Sequence, residues 1–294
     1  MNSTESQNPH SLHLDQMSIL EAARAMNAVD QTVALAVQQA IPQIVQAVEA
    51  IVATFRRGGR LIYQGAGTSG RLGVLDAVEC VPTFGVSYEM VQGLLAGGLS
   101  AMFSAVEGAE DDPELAVTDL KAIGFSADDV LVGIAASGKT PYVLGGIAYA
   151  RQLGARTVGL ACNQPSPLLE QCDIPVALLT GPEFITGSTR LKAGTAQKMT
   201  LNMLSTLSMA QIGKVYGNLM VDVSITNQKL RERGERIIMQ LAQVSREEAA
   251  RALDAAAQQV KVAIVMLRRG VDAAQARRLL EEAEGYLRRV IGDV

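Results

Sequence analysis

The 294-residue chain has only two histidines, His10 and His13, and both lie in a polar N-terminal stretch. A Ser-His-Asp triad or a multi-histidine metal centre in the body of the protein is thereby excluded, and proton transfer there falls to carboxylates, Lys, Tyr or Cys. Three runs rich in glycine and hydroxyl groups offer a different chemistry, the holding of an anion. The first, Gly65-Ala66-Gly67-Thr68-Ser69-Gly70-Arg71, follows the apolar run RLIYQ and opens a helical pattern. Glycines let the backbone turn sharply and approach a ligand, and a helix N-terminus presents unpaired N–H groups to it. A dinucleotide fingerprint would end the next strand with an acidic residue, whereas the nearest one, Glu89, stands at that strand's start. Thr68 and Ser69 suit a phosphate monoester or a sugar hydroxyl better.

The second run, Gly133-Ile134-Ala135-Ala136-Ser137-Gly138-Lys139-Thr140, satisfies the P-loop pattern Gly-x4-Gly-Lys-Thr. Gly133 to Ala135, however, complete an apolar run that begins at Val130, and Pro141 follows at once. What remains is a Ser-Gly-x-Thr turn feeding a helix, a good phosphate cradle. The third run, GPEFITGSTRLKAGTAQK at residues 181–198, gathers hydroxyls and cations at another strand-to-helix junction. The expectation is one phosphosugar site built from Gly67, Thr68, Ser69, Ser137, Gly138, Lys139 and Thr140, with Ser188 and Thr189 as further candidates.

The elements that must position these turns are legible from periodicity. Helical spacing covers Ser18–Ala28, Asp30–Ala40 and a third helix from Pro42 to about Phe55. Short apolar runs follow at Leu61–Gln64, Tyr88–Gly93, Val130–Ala135, Thr157–Ala161 and Ile174–Leu179. Between them lie helical stretches at Gly70–Val78, Leu99–Val106, Glu114–Ile123, Tyr142–Leu153 and near Leu168. Strand alternating with helix predicts an α/β fold, a doubly wound parallel sheet with ligands at the C-terminal strand ends. A long helix over Thr189–Val215 comes next. Ser245 with Glu248, and Asp272 with Gln275, form capping signals for a small C-terminal helical bundle at 246–257, 259–268 and 273–290. The predicted organisation is an N-terminal helical segment at 1–50, the phosphosugar-binding domain at 51–214 and a C-terminal helical region at 215–294.

Composition narrows the partners. A net charge of −4, 4% aromatic residues and no Trp argue against a nucleic-acid surface. The three cysteines, Cys80, Cys162 and Cys172, have no metal-binding spacing. No signal peptide and no apolar run of membrane-spanning length is apparent, so a cytoplasmic protein without membrane contact is expected.

These turns on a doubly wound sheet resemble a sugar isomerase (SIS) domain. The run GPEFITGSTRLKAGTAQK is similar to a signature shared by glucokinase regulatory protein and the N-acetylmuramic acid 6-phosphate etherases. GRLIYQGAGTSGRLGVLDAVECVPTFG, AVEGAEDD, GIAASGKTPYV and GNLMVDV resemble the etherases themselves. The resemblance implies cleavage of the D-lactyl ether of N-acetylmuramate 6-phosphate by a homodimer that uses neither metal nor cofactor. It also implies two catalytic glutamates, Glu79 in D-A-x-E-C and Glu110 in V-E-G-A-E-D, and a ubiquitin-associated-type bundle at about 245–294. Placed in the last turn of a helix ending near Val78, Glu79 would meet the negative end of the helix dipole, which favours a protonated acid. Glu110 would be the base, although the spacing of Glu107, Glu110, Asp111 and Asp112 does not itself select it. A non-catalytic sugar-phosphate-sensing regulator and an aldose–ketose isomerase are the alternatives.

Overall fold

The computed structural model describes residues 3–104 and 106–294. Five strands, β1 (Leu61–Gly65), β2 (Val91–Leu95), β3 (Val130–Ile134), β4 (Arg156–Ala161) and β5 (Ile174–Ala177), form one all-parallel sheet in the order β2-β1-β3-β4-β5. Register is set by Leu61 opposite both Val91 and Val130, and Val130 opposite Arg156. Strands β1 and β3 are buried along their whole length, as a parallel sheet covered on both faces requires. Chain order reverses between β1 and β3, so a crevice opens beyond their C-terminal ends.

The helices are α1 (Ile19–Asp30), α2 (Val33–Gln39), α3 (Ile41–Arg56), α4 (Gly67–Phe84), α5 (Pro113–Ala122), α6 (Pro141–Gln152), α7 (Pro167–Gln171), α8 (Lys192–Gln211), α9 (Gln228–Ala242), α10 (Arg246–Ala255), α11 (Val260–Arg269), α12 (Ala273–Glu282) and α13 (Leu287–Ile291). Local chemistry starts many of them. Ser18 and Glu21 close a capping box on α1, and proline occupies the first turn of α3, α5, α6 and α7. Among the described residues no single helix is long and apolar enough to cross a membrane.

The chain divides into two compact units. Residues 1–77 and 89–205 make one, and residues 78–88 and 206–294 the other. In the first, α3 lies against β1, β3 and β5, so the N-terminal helices share a unit with the sheet. On the same sheet Ile62, Leu131, Tyr142, Val143, Ile147 and Leu168 pack into a core with Leu120 of α5. In the second, α9–α13 bury Ile238, Leu253, Ile264, Val265 and Leu287. The capping boxes Ser245–Glu248 and Asp272–Gln275 open α10 and α12.

Five expected elements differ. The strand expected over Tyr88–Gly93 runs Val91–Leu95, with Tyr88–Met90 in a turn before it. The helix expected over Leu99–Val106 is a 3-10 turn at Gly98–Met102; Ala105 lies outside the described residues. Gly97 ahead of it and Gly98 at its start both sit at positive φ, and Leu99 and Phe103 are exposed, so no core face exists to hold a longer helix. The helix expected over 273–290 breaks at Glu284 and Gly285, both left-handed. The helix expected over Thr189–Val215 is confined to Lys192–Gln211. The helix expected over Gly70–Val78 begins at Gly67 and runs on to Phe84 with Pro82 inside its last turn, where proline forfeits one hydrogen bond, the one to the Val78 carbonyl.

A charged clasp ties together the N-terminal ends of the interior strands β1 and β3. The Arg60 guanidinium reaches Asp129 through Nη2 to Oδ2 at 2.7 Å and Nε to Oδ1 at 3.0 Å, and donates to the Ile123 and Gly124 carbonyls. Burial alone would raise the Asp129 pKa, but hydrogen bonds from Arg60 and the Ser126 and Arg60 N–H groups outweigh it and hold it below the usual value. A depressed pKa contributes stability above the ordinary carboxylate range that is lost as pH falls through the folded value. Asp129→Asn should destabilise the protein by about 3 kcal/mol at pH 7, the cost of breaking a buried pair. Urea midpoints of variant and parent should converge as pH drops below about 4, the ordinary Asp value.

Candidate active site

The first two glycine-rich turns converge at the crevice between β1 and β3. After β1, Gly65 and Gly70 touch backbone to backbone: a Cβ on Gly70 would lie 2.4 Å from the Gly65 oxygen. Only glycine permits that approach, and it sets the start of α4 directly on the strand end. Gly67, Thr68 and Ser69 are thus first-turn residues of α4, whose N–H groups have no carbonyl a full turn back within the helix. After β3, the Ser137 hydroxyl accepts a bond from the Lys139 N–H at 3.2 Å, and α6 opens at Pro141 with no side-chain cap from Thr140. Two helix N-termini therefore face one crevice. Gly133 lies within β3, so the P-loop pattern is spent on a strand.

The resulting cleft measures about 380 Å³ and is lined by Gly67, Thr68, Ser69, Glu110, Asp111, Ser137, Lys139, Thr140 and Thr189, with Glu5, Ala66 and Gly187 among the rest. Two expected binding residues are not in this lining. Gly138 turns at φ +67° behind the cradle, where a Cβ would meet the Ser166 hydroxyl at 2.4 Å, and Ser188 is displaced by Gly187 and Thr189 on either side. The charges of the third run also divide. Glu183 is fully buried and caps α8, accepting from the Lys192 and Ala193 N–H groups at 2.8 and 2.9 Å. Burial raises its pKa and lowers that of Lys192, which is folded inward to donate to the Pro182 carbonyl. Neither reaches the cleft.

Buried bonds brace the cradle from behind. Ser69 donates to the Gln197 Oε1 at 2.9 Å, and Asp76, on α4, accepts from Tyr63 at 2.9 Å, Asn202 at 2.6 Å and Ser205 at 3.2 Å. Gln197 stands in the third run, but nothing in its spacing ties it to a serine 128 residues earlier.

The structure separates the acidic cluster that spacing left unresolved. Asp112 caps α5, accepting from the Glu114 and Leu115 N–H groups. Glu110 and Asp111, on a 3-10 turn at Ala109–Asp111, line the cleft, whereas Glu107 does not. Glu79 is exposed on α4 in the 78–88 segment of the second unit and is not in this lining. Because α4 continues to Phe84, Glu79 stands clear of the last turn, and the helix-end argument for its acid role falls away.

Other proton carriers are few. Burial pushes the Cys162 thiol up to about 12 and the Cys172 thiol up to about 11, far from thiolate at neutral pH. The titratable groups lining the cleft are Glu5, Glu110, Asp111 and Lys139. No three His, Cys, Asp or Glu side chains among the described residues gather as metal ligands. A larger hollow of about 670 Å³ lies in the second unit, but its two lysines are already paired: Lys261 and Lys214 reach Asp222 at 2.6 and 3.4 Å.

Comparison with known proteins agrees with this fold. Residues 43–151 match the glucokinase regulatory protein N-terminal SIS domain, and residues 112–207 match the SIS domain. A phosphoheptose isomerase from Neisseria gonorrhoeae shares the fold, with a TM-score of 0.51 at 18% identity over 66% of this chain and 100% of that one. Sequence relatives are far nearer. The N-acetylmuramic acid 6-phosphate etherase of Geobacillus sp. is 56% identical over 98% of both chains, and that of Mycolicibacterium smegmatis 55% identical over 98% of this chain and 97% of its own. A Vibrio vulnificus etherase is 52% identical over 99% of this chain. With identity of that order along almost its whole length, the chain belongs to the N-acetylmuramic acid 6-phosphate etherase family.

Proposed function

We propose that this protein cleaves the D-lactyl ether of N-acetylmuramate 6-phosphate with water, giving N-acetylglucosamine 6-phosphate and D-lactate. An alkyl ether is a poor leaving group for direct displacement. In the open-chain sugar, however, the C1 aldehyde acidifies the C2 proton and the ether oxygen sits on C3, one carbon beyond. A base takes the C2 proton, the C3–O bond breaks as an acid protonates the departing lactate oxygen, and an unsaturated aldehyde forms. Water then adds at C3, its proton restoring the spent acid, and C2 takes back the proton held by the base. Both steps are proton transfers, so the reaction is that of a carbon–oxygen lyase served by two carboxylates with different protonation states.

The observation that carries this reading is Glu110 in the same cleft as the Thr68–Ser69 and Ser137–Thr140 cradle. The phosphate takes the two helix N-termini, the hydroxyls and Lys139, and Glu110 serves as base. Glu79 serves as acid, a role supported by its place in the D-A-x-E-C motif. We place the enzyme in cytoplasmic recycling of cell-wall amino sugars, as a homodimer; Leu99 and Phe103, 80% and 89% exposed, offer apolar surface for self-association. Incubating the protein with N-acetylmuramate 6-phosphate in H₂¹⁸O should release D-lactate and leave the label on C3 of the sugar. A phosphosugar sensor or an aldose–ketose isomerase would release no lactate, and label in lactate would mean displacement at the lactyl carbon.

A further inference from the structure

We infer that Glu5 is a substrate-recognising residue of this cleft, its carboxylate accepting hydrogen bonds from the neutral donors of the phosphosugar, its hydroxyls or amide N–H. The inference rests on the phosphosugar reading above and deepens it.

Thr4 is almost fully buried, and its ties are specific. Ser3 Oγ and the Thr4 N–H donate to Asn163 Oδ1 at 3.1 and 3.3 Å, and Asn163 Nδ2 donates back to Thr4 Oγ1 at 3.0 Å. The same Nδ2 donates to the carbonyl of Ala136, the residue before Ser137 of the cradle, at 2.9 Å. From the third run, the Gly187 N–H donates to the Thr4 carbonyl at 3.0 Å, while Asn8 donates to the Pro182 carbonyl at 3.1 Å. The strap is thus fastened to the loops that follow β4 and β5, and through Asn163 to the loop that follows β3.

These ties present a side chain they do not consume. Glu5 is exposed, lines the cleft and has no ion-pair partner among the described salt bridges. Gly187 makes room for it: a Cβ there would lie 2.8 Å from Glu5 Oε2, and φ at Gly187 is +74°. Charge then decides what Glu5 faces. The lining holds three carboxylates, Glu5, Glu110 and Asp111, against one cation, Lys139. A phosphate or lactyl carboxylate set against Glu5 would meet a like charge, so both anionic ends of the substrate turn elsewhere. What remains is the neutral part of the sugar, whose O–H and N–H groups make charge-assisted bonds to a carboxylate.

Calorimetry with N-acetylglucosamine 6-phosphate and, separately, inorganic phosphate tests this. Glu5→Gln should weaken sugar-phosphate binding roughly 10-fold and Glu5→Ala roughly 100-fold, the range expected for losing charge-assisted bonds. Inorganic phosphate should bind both variants as well as the parent, or better, and thermal midpoints should not move. With N-acetylmuramate 6-phosphate the loss should appear in KM more than in kcat. Sugar-phosphate affinity within twofold of the parent overturns the inference. A parallel fall in inorganic-phosphate affinity also overturns it, since that would mean a displaced strap. If the parent binds the sugar phosphate yet releases no lactate, the etherase reading fails while the binding comparison still decides Glu5.

Discussion

Glu110→Ala is expected to lower D-lactate release by at least about 10³-fold and to abolish exchange of the C2 hydrogen with solvent deuterium. A positioned general base contributes roughly 10²–10⁴-fold, and its removal leaves the C2 proton without its assigned base, with Glu5 and Asp111 still in the cleft. Because Glu110 lies on an exposed turn and fills no core space, the loss should come without a fall in thermal midpoint. Affinity for N-acetylglucosamine 6-phosphate should hold or improve, since one of three lining carboxylates has gone. The sharp control is Asp111, its neighbour in sequence and in the cleft. Asp111→Asn should retain C2 exchange within about tenfold, a far smaller loss than a general base accounts for. If Asp111→Asn abolishes exchange and Glu110→Ala does not, the base has been assigned to the wrong carboxylate.

That ambiguity shows where sequence reasoning is strong and where it stops. Glycine-rich turns between a strand and a helix announce themselves, because the conformations they need are those few residues adopt and the helix start follows at once. Thr68, Ser69, Ser137 and Thr140 were therefore legible, and so was the alternation of strand and helix around them. What composition cannot show is the direction a side chain takes. The third run reads as hydroxyls and cations at an anion site, yet Glu183 and Lys192 fold inward and only Thr189 and Gly187 reach the cleft. Asp112 and Glu110 look equivalent two residues apart, but one is spent capping α5. Glu5 carries no local signal, since its position depends on Asn163 and Gly187, more than 150 residues away. The helix expected over Leu99–Val106 failed for a related reason, as apolar spacing promises a helix only where a core receives it.

Glu79→Gln should separate the two halves of the reaction. Exchange of deuterium into C2 should continue at a rate near the parent's, because the base and the phosphate cradle are intact, while lactate release falls by roughly 10²–10⁴-fold. Glutamine matches glutamate in shape and can still donate a hydrogen bond, but it cannot hand over a proton as C3–O breaks. The alkoxide that must leave is then unprotonated and strongly basic, so the carbanion at C2 reprotonates more often than it expels lactate. A further readout isolates that step. A substrate analogue with a phenolic ether at C3 needs far less protonation to depart, so the variant's deficit should shrink to within about tenfold, once acid catalysis no longer limits. Loss of C2 exchange together with lactate release, or an undiminished deficit with the phenolic ether, would remove Glu79 from the acid role and leave the second proton carrier to be sought among Glu5, Asp111 and Lys139 of the cleft.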